Sequence, residues 1–113
     1  MSRVLLDHCS YFSSGCISGK MYEINRYPGV VESDNPEDIV YGEIYSTSSP
    51  DTVLPLLDEY EECSDNFPQP HEYVRKKIIV SMPDSISISA WVYIYCHDVS
   101  GLKRVKSGDY FLP

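Results

Sequence analysis

The sequence predicts an α+β domain in which several short strands, most economically a small and largely closed sheet, surround one helix. Three observations carry this expectation. Alternating polar and apolar segments recur along the chain, one segment alone has helical periodicity, and 113 residues allow one modest core but not two. A single domain over residues 1–113 follows, with no internal repeat and no low-complexity stretch.

Taken in order, the first 18 residues are rich in Ser, Gly and small polar side chains. A short helix or turn around Val4 to His8 and a strand near Tyr11 to Ile17 are expected there. Gly19 to Ile24 reads as a further strand. Tyr27-Pro28-Gly29 signals a turn, because Pro presets one dihedral and Gly accepts a positive one. Val30 and Val31 extend a short strand, and Ser33 to Asp38 is a polar, acidic surface loop. Val40 to Tyr45 alternates, with Val40, Gly42 and Ile44 on one side and Tyr41, Glu43 and Tyr45 on the other. Gly42 in mid-strand predicts a bulge, or a close approach by another backbone or a ligand. Ser46 to Asp51 supplies helix-start chemistry for a helix over Thr52 to Glu62. Cys63 to His71, with two prolines, is an exposed connection. Tyr73 to Val80 is a strand with Arg75 and Lys77 on one face, and Met82 to Asp84 turns the chain. Ser89 to Cys96 is the strongest strand. Trp91, Tyr93 and Tyr95 share one of its faces and Ala90, Val92 and Ile94 the other, which predicts a central strand covered on both sides.

Composition excludes several classes of function. Seventeen acidic residues against nine Lys and Arg give a formal charge of −8, which disfavours nucleic acid, since phosphate contacts need clustered cations. The basic runs Arg75-Lys76-Lys77 and Lys103 to Lys106 read as strand or loop surface. No stretch approaches the roughly 20 apolar residues of a membrane span, and the N-terminus has no apolar core of secretory length. A cytoplasmic protein with reduced thiols is expected. Cys9, Cys16, Cys63 and Cys96 include no C-x-x-C pair, so no metal site is expected.

The most informative residue is Glu61. On a helix turning about 100° per residue, Leu54, Leu57, Val53, Tyr60 and Leu56 form one apolar sector. Asp58, Glu59 and Glu62 project from the other side, as solvated carboxylates do, but Glu61 falls between Leu54 and Leu57. A carboxylate on a buried face needs a partner, a raised pKa or a cavity. Two readings stay open from the residues alone: a desolvated general acid/base, or a core-edge carboxylate paired with an Arg such as Arg75. The kink at Pro55 could also rotate Glu61 back to solvent.

Seven motifs in order extend the reading: Gly19-Lys-Met-Tyr-Glu-Ile24, Tyr27-Pro-Gly-Val-Val31, Val40-Tyr-Gly-Glu-Ile-Tyr45, Leu56-Leu-Asp-Glu-Tyr-Glu61, Tyr73-Val-Arg75, Ala90-Trp-Val-Tyr-Ile-Tyr95 and Ser107-Gly-Asp-Tyr110. Together they resemble the gamma-glutamylcyclotransferase-like family, from about Gly15 to Tyr110. The resemblance implies a small mixed β-barrel with flanking short helices and an interior cavity. It implies a small-molecule γ-glutamyl substrate: the free α-amine attacks the γ-carbonyl, giving 5-oxoproline and releasing the attached amine or amino acid. The family's catalytic glutamate takes the place of Glu61, which would accept a proton from the α-ammonium and return it to the leaving nitrogen. Neither metal nor organic cofactor is needed. Gly42, Tyr73, Tyr93 and Tyr95 become candidate substrate-binding residues on the cavity wall, although ordinary packing accounts for each tyrosine taken singly.

One departure stands against the matches. Family members usually begin with a strand and a tight Tyr-Gly-Ser/Thr-Leu turn whose backbone N–H groups hold substrate oxygens, and no such segment occurs in this sequence. A donor cradle of that kind can be worth ~3 kcal/mol in the transition state. Three expectations are open: the start is misassigned, the domain is reduced with its activity lost or altered, or another chain fills the vacancy, making a homo-oligomer. The competing functions are therefore an active cyclotransferase, an inactive member that binds a small ligand or a protein, and an acidic structural protein.

Overall fold

The structure is a computed structural model that describes residues 3–24, 27–64 and 66–110. Its elements are a short helix α1 (Arg3–His8), β1 (Ser10–Glu23), β2 (Pro28–Glu32), β3 (Ile39–Ser46), helix α2 (Pro50–Tyr60), β4 (Tyr73–Ser81), β5 (Ser87–Tyr95) and β6 (Lys103–Arg104). The α+β class stands. The two strands expected from Tyr11 to Ile17 and from Gly19 to Ile24 are one continuous strand of 14 residues, β1. It is the spine of the sheet. Its first half pairs antiparallel with β3, from Ser10↔Ser46 to Ser18↔Ile39, and its second half with β2, from Gly19↔Glu32 to Glu23↔Pro28. Gly15 lets the strand pass close to its neighbours. A Cβ on Gly15 would lie 2.7 Å from Val80 Cγ1 and 2.9 Å from Ile44 Cδ1.

β4 and β5 form a long antiparallel hairpin, from Tyr73↔Tyr95 to Ser81↔Ser87. The chain reverses at Pro83–Ser85, where Asp84 and Ser85 have φ of 66° and 61°, as tight hairpin loops require. Only one pair, Cys16↔Ser81, links this hairpin to β1. All the strand pairings are antiparallel, and among the described residues none closes the sheet into a ring, so the architecture is barrel-like only loosely.

That topology corrects the placing of the Ser89–Cys96 segment. β5 is not a central strand: among the described residues it pairs with β4 alone, and it ends the path β2-β1-β4-β5. Trp91, the first residue of its aromatic face, is 47% exposed. Arg75 and Lys77 lie over its indole, 4.5 and 5.4 Å from the ring centroid. Cations on the neighbouring strand cover this face in place of a second layer of apolar side chains.

One core unites Met21, Val40 and Val105, with Ile17, Val30 and Tyr110 packed against it. Tyr110 follows a turn at Gly108, where glycine is required: φ is +72°, and a Cβ would meet the Ile39 carbonyl oxygen at 1.9 Å. This turn is a staple, because the Gly108 carbonyl accepts a hydrogen bond from Tyr41 N at 2.8 Å. Among the described residues no helix is long and apolar enough to cross a membrane.

Candidate active site

Helix α2 carries the site. Pro50 opens it at the first turn, where a missing N–H costs nothing. The Ser49 carbonyl accepts the N–H groups of Thr52 and Val53. Val53, 1% exposed, is its anchor in the core, while Leu56 and Tyr60, assigned to the same apolar sector from the sequence, are 40% and 59% exposed. The buried stripe is narrower than the wheel suggested and runs through Val53, Leu54 and Leu57. The helix ends one residue before Glu61, in a Schellman motif. Cys63 N donates to the Asp58 carbonyl at 2.9 Å and Glu62 N to the Glu59 carbonyl at 3.1 Å, with Glu62 at φ 55°. Glutamate holds a left-handed position that helices usually give to glycine.

Beneath the buried stripe lies a cavity of about 650 Å3. Leu54, Leu57 and Glu61 of the helix segment line it together with Ile17 and Met21 of β1, Gly42 and Glu43 of β3, and Trp91 and Tyr93 of β5. Glu43 and Glu61 are the only charged side chains among the described lining residues. The cavity touches Ala90 and Val92 as well as Trp91 and Tyr93, opposite faces of one strand, so it runs along the edge of β5. Cys96 N bonds the Glu72 carbonyl and Met82 N the Ile86 carbonyl. By strand alternation the even-numbered residues of β5 therefore bond β4, and Ser89, Trp91 and Tyr93 turn their backbone N–H and C=O groups to the other edge. Among the described residues no strand pairs with that edge.

Glu61 is half-buried on this wall. Burial pushes its carboxyl above the usual glutamate range, and the negative charge of Glu72 pushes in the same direction. Glu72 is itself held in place by the Tyr27 hydroxyl, which donates to it. That bond, more than burial, raises the Tyr27 phenol to about 12. Among the described residues no Lys or Arg pairs with Glu61. The alternative pairing with Arg75 is not what the structure has: Arg75 donates to Asp58 through Nε at 2.9 Å and Nη2 at 3.2 Å. Asp58, expected on the solvent side, is instead drawn inward and also accepts the Tyr93 hydroxyl at 2.7 Å. The wheel erred here because a residue beside the apolar stripe faces whatever packs alongside the helix, and β4 and β5 pack there.

The other predicted residues divide. Gly42 and Tyr93 share the cavity wall with Glu61. Gly42 forms neither a bulge nor a close backbone contact. Its Cβ position has nothing within 4 Å, and the bulge of this strand pair lies opposite, between Tyr11 and Ser13. Tyr73 and Tyr95 are buried at 9% and 8% exposure but lie outside the lining. They pack edge to face with centroids 5.4 Å apart, and Tyr73 donates to the Pro28 carbonyl at 3.3 Å. Sequence reasoning missed Glu43, Asp58 and the open β5 edge. The first two carry no signal in the pattern, because solvated carboxylates are the default on both elements.

The structure thus sets a carboxylate with a raised pKa on the wall of a largely apolar cavity between an antiparallel sheet and α2, in a small α+β domain. This chain belongs to the gamma-glutamyl cyclotransferase, AIG2-like family, whose sequence model matches residues 1–112. It is 31% identical over 91 residues to the gamma-glutamylcyclotransferase family protein YtfP of Escherichia coli K12, a match covering 80% of this chain and 66% of that one. The chain thus spans just under two thirds of that relative. The solution NMR structure of YtfP from Escherichia coli superposes with a TM-score of 0.66 at 27% identity, over 96% of this chain and 83% of that one. An AIG2-like protein from Mus musculus superposes with a TM-score of 0.63 at 23% identity, over 88% and 79% of the two chains, a likeness in fold.

Proposed function

We propose that the protein cyclises a γ-glutamyl amine or γ-glutamyl amino acid to 5-oxoproline, with Glu61 as the general acid/base. The observation that carries the reading is the Glu61 carboxyl on the cavity wall, raised in pKa by burial and by Glu72. A base is strongest for its task when its pKa approaches the working pH, and burial moves a glutamate in that direction. In the proposed reaction Glu61 accepts a proton from the substrate's α-ammonium, freeing the amine to attack the γ-carbonyl carbon. As the tetrahedral intermediate collapses, Glu61 returns the proton to the leaving nitrogen, the γ-amide bond breaks, and the ring nitrogen gives its second proton to the departing amine, which leaves as an ammonium. Ring closure is intramolecular, so holding the substrate folded supplies much of the acceleration.

The charge pattern of the pocket supports this division of labour. With Glu43 and Glu61 as the charged lining residues, the pocket draws an ammonium toward Glu61. The backbone N–H groups of Ser89, Trp91 and Tyr93, on the edge that no described strand pairs with, offer donors to a carboxylate or carbonyl oxygen. The test is to incubate the chain with γ-glutamyl amines and γ-glutamyl amino acids and to quantify 5-oxoproline. Release by the wild type, reduced at least a hundredfold in Glu61→Gln, is the expected outcome for loss of general acid/base catalysis, worth about 10²–10⁴. Equal release from both proteins removes Glu61 from the mechanism.

A further inference from the structure

We infer that Asp58 is a positioning residue for Glu61: its carboxylate fastens the last turn of α2 to β4 and β5, and so fixes where the Glu61 carboxyl meets the cavity. The inference rests on the reading of Glu61 as the acid/base, and it adds a residue which that reading does not need.

The geometry centres on Asp58 twice over. Its side chain takes the two-pronged Arg75 contact, at 2.9 and 3.2 Å, and the Tyr93 hydroxyl at 2.7 Å. Its main-chain carbonyl takes the Cys63 N–H at 2.9 Å, the bond that turns the chain immediately after Glu61. Glu61 N in turn bonds the Leu57 carbonyl at 2.9 Å. Glu61 therefore sits inside a short loop of chain whose base, Asp58, is held by two strands. The fork of a guanidinium fixes a carboxylate in orientation as well as in place. Asp58 and Arg75 expose only 20% and 24% of their side chains, so water competes weakly for these bonds. Tyr93 stays a donor, since burial first and Asp58 second push its phenol far above the ordinary range. A helix end left without this fastening would fray, because α2 ends on a left-handed glutamate and not a glycine.

The groups that face Glu61 set the readout. They are Glu72 and Tyr73 at the start of β4 and Cys63 in its own turn, each coupled to it electrostatically, with Glu43 on the same cavity wall. The test compares the wild type, Asp58→Asn and Arg75→Lys. Arg75→Lys keeps the charge and loses the fork, so its effects report geometry alone. Two quantities are measured: kcat and KM for 5-oxoproline release, and the pH at which the Glu61 side-chain carboxyl titrates by carbon-13 NMR. Asp58→Asn is expected to lower kcat about 10- to 100-fold with KM within about threefold, as small misplacements of a reacting group do. Arg75→Lys is expected to lose about 3- to 10-fold on the same basis. In both, the Glu61 titration moves to lower pH as water reaches the carboxyl.

Folded variants that keep the wild-type titration and the wild-type kcat overturn the inference. If Asp58→Asn does not fold, Arg75→Lys decides alone. If the wild type releases no more 5-oxoproline than Glu61→Gln, the catalytic reading falls while the titration still decides whether Asp58 positions Glu61.

Discussion

Glu62 sits at φ 55° in the turn that closes α2, and replacing it with glycine should stabilise the protein. An L-residue in the left-handed region costs roughly 1–2 kcal/mol, because its Cβ crowds the following carbonyl. Glycine avoids that cost but gains freedom in the unfolded chain, which returns about 0.4–1 kcal/mol to the unfolded state. The difference is a net gain of about 0.7 kcal/mol for Glu62→Gly over Glu62→Ala. Spread over 113 residues, an unfolding entropy of about 2.1 cal/mol/K per residue makes that about 3 °C in Tm. Alanine is the necessary control. Glu62 and Glu72 both act on the Tyr27 phenol, and Glu72 also acts on Glu61, so removing the Glu62 charge relieves repulsion, and both substitutions share that relief. Calorimetry together with urea unfolding at constant m-value measures the glycine-minus-alanine difference. If the two variants melt together, the left-handed backbone at Glu62 stores no strain. A glycine variant that melts lower than alanine would refute the account of how this helix ends.

Other substitutions separate structure from chemistry. Glu61→Gln should raise stability at about pH 7 and not at about pH 3. The folded carboxyl has a raised pKa, so ionisation costs stability as pH climbs from the ordinary glutamate value through the folded one, and below the ordinary value both states are neutral. A pH series of melting curves checks the sign, and a wild type that gains stability on Glu61 more than the variant across that window contradicts it. Val53→Ala should cost about 1.5–2.5 kcal/mol in urea unfolding, the transfer of two methyl groups plus an unfilled space, since Val53 is 1% exposed. Gly42→Val and Gly15→Val should diverge. The first projects into open space on the cavity wall, so it should leave Tm within about 2 °C while weakening 5-oxoproline release. The second must displace Val80 and Ile44 and should cost about 1–3 kcal/mol. Gly108→Ala, aimed at the Ile39 carbonyl at 1.9 Å, should prevent the turn that staples Tyr41 and lower Tm sharply.

Local rules made much of the fold legible. Alternation located β3, β4 and β5 to within two residues, but the turn expected at Tyr27-Pro28-Gly29 is not what forms: Pro28 and Gly29 already pair with Glu23 and Tyr22 as the first residues of β2, and Gly29 has no positive φ. The helix register was legible too, because Val53, Leu54 and Leu57 repeat at helical spacing and Glu61 continues the same line into the cavity wall. The main helical segment, the succession of short strands and the position of one misplaced carboxylate are properties of a period, and a period is written in the chain.

Which strand borders which is not. Nothing in Ser87–Tyr95 distinguishes an edge strand from a central one when both faces are apolar: on the edge, the cover comes from Arg75 and Lys77, residues that the sequence places on a strand surface without saying whose. The inward turn of Asp58 has the same origin. Its carboxylate is ordinary until β4 brings a guanidinium and β5 a phenol within 3.2 Å of it. Residues close in sequence set the local backbone, so the chain alone determined its helix, its strands and Glu61. Contacts between Asp58 and residues 17 and 35 positions away exist only once the sheet has assembled, so tertiary structure alone decided the edge, the cavity and the partners of Asp58.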